Sequence, residues 1–90
     1  MGEAEVRDRF RYRADVLDEL WRYGVRPTER TPPDLVHEFV SDLYRYEIRR
    51  LRARLLRKEF QKQEYAGRVV DLRQRYRIIS LHPREWAEPL

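Results

Sequence analysis

The chain has 90 residues, of which 41% are hydrophobic and 40% are charged, and its formal net charge is +4. This length allows a single small domain, and the absence of cysteine excludes disulfides, thiolate chemistry and Cys-based zinc or iron–sulfur sites. No apolar run approaches the roughly 18 residues of a membrane span, and the acidic start Met1–Glu5 lacks the pattern of a signal peptide, so we expect a cytoplasmic protein.

The first predicted element is a helix over residues 3–23. Its apolar stripe recurs every three or four positions, as in an amphipathic helix, and consists of Val6, Phe10, Ala14, Leu17 and Trp21. Gly24 follows, in the position where helices often end with a left-handed residue. Leu20 and Val25 then form the hydrophobic pair of a Schellman ending. Pro27 keeps the helix from resuming.

A second helix is predicted over residues 32 to about 65, with Thr31 as its N-cap. Thr31 is a favourable N-cap, because its hydroxyl can accept a hydrogen bond from a free backbone N–H of the first turn. Pro32 suits the first helical position, and Asp34 places a negative charge near the positive end of the helix dipole.

This second helix is apolar on two sides. The first seam comprises Val36, Val40, Leu43, Ile48, Leu51 and Leu55. The second seam has a spacing of seven residues and comprises Phe39, Tyr46, Ala53 and Phe60, with Leu35 and Leu56 on its flanks. A helix that is apolar on two sides needs two neighbours, and the first helix supplies only one of them. We therefore predict a protein interface formed by Phe39, Tyr46, Ala53, Leu56 and Phe60.

The continuation of this helix leaves two alternatives. The first seam is interrupted at Lys58 and Lys62, the only lysines, and it resumes in phase at Tyr65, Val69, Leu72, Tyr76 and Ile79. One alternative is a single helix over residues 32–79, which would be about 72 Å long. The other is a break at Gly67, after which a third helix over residues 68–79 folds back. We favour the break, because the first helix is too short to cover such a long one.

Pro83 and Glu85 indicate one more helical turn over residues 83–87, from which Trp86 packs on the rest of the chain. The predicted fold is therefore all-α and forms one domain over residues 1–90. It is a helical hairpin or a three-helix bundle with a long central helix, and oligomerisation is a further way to cover that helix.

The positive charge is concentrated in the second half of the chain. Residues 1–43 carry 7 Arg and 10 Asp or Glu, whereas residues 44–90 carry 13 Arg or Lys and 6 Asp or Glu. Arg45, Arg49 and Arg52 share one face of the second helix, opposite the first seam. Such a row can follow a phosphate backbone, although charged helix faces are more often simply solvated.

No catalytic, cofactor or metal site is predicted. His37 and His82 have neither the His-x-x-x-His nor the His-Glu-x-x-His spacing of zinc ligands. Ser41 and Ser80, the only serines, lack the Gly-x-Ser-x-Gly context of a nucleophile. We therefore expect a non-enzymatic module for protein interaction or assembly, whose partner is a second copy or another protein. Nucleic-acid binding through Arg45, Arg49 and Arg52 is the alternative.

Overall fold

A computed structural model describes residues 9–90, which are mostly helical and include one small two-stranded sheet. The elements in chain order are β1 (Phe10–Tyr12), α1 (Ala14–Arg22), α2 (Pro33–Leu56), α3 (Lys62–Arg75), a 3₁₀ helix (Arg77–Ser80), α4 (Pro83–Trp86) and β2 (Ala87–Pro89). Contacts group them into two compact units. The first contains residues 9–38 with Ile78–Leu90, and the second contains Phe39–Arg77.

The sheet of the first unit joins two segments that are distant in the sequence. β1 pairs with β2 in antiparallel orientation, so that Phe10 lies opposite Pro89 and Tyr12 lies opposite Ala87. The Arg13 N–H extends the pairing by donating to the Trp86 carbonyl at 2.9 Å.

Trp86 lies at the centre of this unit and is fully buried, as are Val16 and Leu20 of α1. Its indole Nε1–H donates to the Ile78 carbonyl at 3.0 Å, so the one polar group of the ring is satisfied. The short α4 is capped by His82, whose Nδ1 accepts from the Arg84 N–H at 3.2 Å.

The predicted helix over residues 3–23 is wrong for residues 10–13, and residues 3–8 lie outside the described part of the chain. Residues 10–12 form β1, and Arg13 is extended, with φ −63° and ψ 142°. The reason is that residues 10–12 pair with β2, which is distant in the sequence. The periodicity of a local segment cannot indicate such a long-range pairing. The predicted stripe is also rotated, because α1 buries Val16 and Leu20 whereas Trp21 is 58% exposed.

The predicted end of this helix is confirmed. Gly24 has φ 79°, the Val25 N–H donates to the Leu20 carbonyl at 2.9 Å, and the Gly24 N–H donates to the Trp21 carbonyl at 3.0 Å. These are the two hydrogen bonds of a Schellman motif.

The start of α2 lies later than the sequence predicts. The helix begins at Pro33, and the Pro32 carbonyl accepts its first bond, from the Val36 N–H at 3.3 Å. The Thr31 hydroxyl instead accepts from the Thr28 N–H at 2.9 Å and so stabilises the preceding turn. Asp34 does lie in the first turn of the helix, as expected.

The second unit is an antiparallel pair formed by α3 and residues 39–56 of α2. The break between them falls at residues 57–61, and the prediction of a break at Gly67 is wrong, since α3 passes through Gly67. Lys58 has φ 60° at the end of α2. The Lys58 N–H donates to the Leu55 carbonyl and the Glu59 N–H to the Arg54 carbonyl, so a lysine occupies the left-handed position that glycine usually takes.

Candidate interaction surfaces

The second seam is largely exposed on α2. Phe39 and Tyr46 are each 53% exposed and Leu56 is 76% exposed, while Ala53 between them is half-buried. The first seam is more buried, since Val36, Val40 and Leu51 are buried and the remaining members, Leu43, Ile48 and Leu55, are half-buried. The second unit therefore covers the first seam more fully than the second seam, which is left to solvent.

Phe60 does not belong to this exposed surface. It is only 8% exposed, because α2 ends at Leu56 and the following turn directs the ring inward. The guanidinium carbons of Arg68 and Arg54 lie 4.6 and 5.3 Å from its ring centre, and the Tyr65 ring stacks on it at 6.5 Å. The assignment of Phe60 to the interface is thus corrected: Phe60 is a core residue of the turn.

Two ion pairs of Glu59, with Arg54 and Arg57, bridge this turn. The Glu59 carboxylate accepts from Arg57 Nε at 2.8 Å and from Arg54 Nε at 3.0 Å. These hydrogen bonds hold the pKa of Glu59 below its usual value, and the one from Arg57 has the larger effect. The ion pair with Glu59 also keeps the Arg54 guanidinium over the Phe60 ring.

The predicted row Arg45, Arg49 and Arg52 is exposed along α2. Arg45 binds Asp42 at 2.7 Å. Neither Arg49 nor Arg52 forms an ion pair with another residue of the described range. The row therefore combines one neutralised arginine with two that have no carboxylate partner within residues 9–90.

Two clefts lie between α2 and α3. The first, of about 250 Å³, has a highly charged lining: Glu47, Arg50, Leu51, Arg54, Arg68, Asp71, Leu72 and Arg75. Glu47 is central there, since it accepts from the Tyr76 hydroxyl and lies 3.8 Å from Arg75. The ion pair of Glu47 with Arg75 therefore joins the two helices across this cleft.

The second cleft, which we call the aromatic groove, measures about 450 Å³ and combines apolar and basic side chains. Its lining consists of Tyr44, Ile48, Tyr65 and Val69 as the floor, with Arg45, Arg49 and Arg73 as the rim. This groove was not predicted from the sequence. Its signal was present in the first seam, which resumes in phase at Tyr65 and Val69 after the two lysines.

The histidines have structural partners. His37 Nε2 lies 2.9 Å from the Ile79 carbonyl and 3.0 Å from the Leu81 carbonyl, and this geometry requires the nitrogen to donate. The His37 ring also lies 4.9 Å from the Trp86 ring. Within residues 9–90, no three His, Asp or Glu side chains form a group that could hold a metal ion.

Over the same residues, no helix combines the length and apolarity that crossing a bilayer requires. The chain matches no protein-family model, and no characterised protein or solved structure is significantly similar to it.

Proposed function

We propose that this protein is a non-enzymatic assembly module, in which the second seam of α2 pairs with the same seam of a second copy. The observation that carries the proposal is the exposure of Phe39, Tyr46 and Leu56 on one face of a single helix. Contiguous exposed apolar side chains rimmed by charge are typical of protein interfaces, where aromatic residues provide much of the binding energy.

The charges beside the seam favour an antiparallel arrangement. Asp42 lies near the N-terminal end of the exposed seam, whereas Arg50 and Arg57 lie toward its C-terminal end. Antiparallel pairing places the acid of one copy near the arginines of the other and brings Phe39 toward the partner's Leu56. Parallel pairing would place arginines beside arginines, which is unfavourable.

The experiment is size exclusion with light scattering on the wild-type chain and on Phe39→Glu with Leu56→Glu. We expect a wild-type dimer and a monomeric double variant, because two buried carboxylates without partners oppose association. Val70→Glu is the matched control, since Val70 is 50% exposed on α3, away from the seam. It should remain a dimer. A monomeric wild type, or a double variant of unchanged mass and helicity, would refute self-assembly through this seam.

Nucleic-acid binding through Arg45, Arg49 and Arg52 is a second candidate. The observation that favours it is the lack of carboxylate partners for Arg49 and Arg52 among the described residues, which leaves two charges to neutralise phosphates. It predicts binding that weakens steeply with salt and with charge removal at these positions. Absence of binding to labelled DNA and RNA at low salt would end this candidate.

A further inference from the structure

We infer that the aromatic groove binds an acidic amphipathic helix of a partner protein. The floor supplies apolar contacts at the centre, and the arginine rim supplies positive charge along the edges. A helix whose apolar stripe is flanked by glutamate or aspartate has the complementary pattern, which is the usual way in which amphipathic helices fill grooves.

The groove floor is fixed by rings that lie behind it. Tyr44 contacts the buried Tyr76 with ring centres 5.6 Å apart, and the Tyr76 hydroxyl donates to Glu47. At the other end, Tyr65 stacks on the buried Phe60. Because these side chains are already ordered, little conformational entropy is lost when a ligand covers them.

The rim selects negative charge. Arg49 and Arg73 form no ion pair with any residue in the described range, and Arg45 forms one exposed ion pair, with Asp42. Three guanidinium groups on the two helices can therefore receive carboxylates from a ligand that lies along the floor. Arginine suits this role because its planar donors match a carboxylate.

The floor favours a protein segment over single-stranded nucleic acid. Ile48 and Val69, which are branched aliphatic residues, lie between the two tyrosines. Tyr65 already stacks one of its faces on Phe60, which leaves fewer free aromatic faces for the stacking of bases. Branched aliphatic side chains pack well against the leucines of an amphipathic helix.

The groove and the second seam involve different side chains of α2, so this inference does not depend on self-assembly. A Phe39→Glu variant should bind the acidic helix as well as the wild type does, even where it fails to dimerise.

The test is fluorescence anisotropy with a labelled synthetic peptide of about 18 residues, long enough to form a helix. The peptide carries leucines at i, i+3, i+4 and i+7 with glutamates on both flanks. A second peptide has lysines in place of the glutamates, and a labelled oligo-dT is the nucleic-acid probe. We expect saturable binding of the acidic peptide alone.

Two sets of matched variants locate the binding site. Arg49→Glu and Arg73→Glu, each made alone, should weaken binding by about fivefold, whereas Arg52→Glu, which reverses the same charge outside the groove, should change it by less than about twofold. Val69→Ala should weaken binding roughly three- to tenfold through lost apolar contact, and Val70→Ala on the neighbouring exposed position should leave it unchanged. Circular dichroism verifies that each variant remains helical.

Three results would overturn the inference. They are equal binding of the acidic and basic peptides, equal effects of the groove variants and their controls, and binding of oligo-dT without binding of the acidic peptide. The last result would assign the groove to single-stranded nucleic acid.

Discussion

Tyr12 shows how a single side chain links β1 to the turn that precedes α2. It is buried in β1, and its hydroxyl donates to the Thr31 carbonyl at 2.6 Å. Burial, followed by the negative charge of Asp34, raises the pKa of Tyr12 to about 12 from an ordinary value of 10.0. The native state therefore holds this proton more tightly than the unfolded chain does. The resulting stability is complete below pH 10 and is lost as the pH rises toward 12.

Replacement of Tyr12 with Phe tests this linkage. At pH 8 we expect the variant to be less stable by about 1 kcal/mol, because the Thr31 carbonyl loses its hydrogen bond. Between pH 10 and 11.5 the difference should shrink, since the Tyr12 phenol ionises in the unfolded wild type but stays protonated in the native state, and this ionisation stabilises the unfolded state of the wild type alone. Urea unfolding followed by circular dichroism at several pH values measures both quantities. A difference that stays constant with pH would contradict the raised pKa.

At the scale of elements, the sequence pattern of α2 predicted its faces better than its end, whereas for α1 it predicted the end better than the face. The spacing of Phe39 and Tyr46 correctly placed them away from the first seam, because within a helix three-residue and four-residue steps fix the face. The same spacing failed at Phe60, which lies beyond the end of α2. At that end Lys58 adopts the left-handed conformation, which no sequence rule predicts for a lysine. The interruption of the first seam at Lys58 and Lys62 was the available signal.

Lys58→Gly should stabilise the protein. A residue with a Cβ has a cost of about 1–2 kcal/mol in the left-handed region, and the greater freedom of glycine in the unfolded chain offsets part of it. We expect a net gain of roughly 0.5–1 kcal/mol in the free energy of unfolding, measured by urea denaturation. Lys62→Gly is the control, because Lys62 opens α3 with ordinary helical geometry and glycine brings no gain there. Equal effects at the two lysines would argue against strain at Lys58.

At the scale of the whole molecule, the expectation of a mostly helical chain is confirmed, whereas the sheet was not predicted from the sequence. The pairing of Tyr12 with Ala87 depends on two short segments from opposite ends of the described chain, and neither alternates over enough residues to indicate a strand alone. The aromatic groove was not predicted either, for a related reason. Its lining comes from two helices whose alignment depends on the position of the turn, and the sequence placed that turn at Gly67.

The first unit depends on Trp86 to join its two chain segments, since the fully buried ring lies 4.9 Å from the His37 ring of the other segment and also donates to the Ile78 carbonyl. Trp86→Ala should lower the free energy of unfolding by about 3–5 kcal/mol, a large share of the roughly 5–15 kcal/mol that small proteins have. Trp86→Phe keeps most of the apolar volume but leaves the carbonyl without its donor, so we expect a loss of about 1–3 kcal/mol. Urea unfolding followed by circular dichroism distinguishes the two variants. If Trp86→Ala cost less than Trp86→Phe, packing around the indole could not be what holds the two ends together.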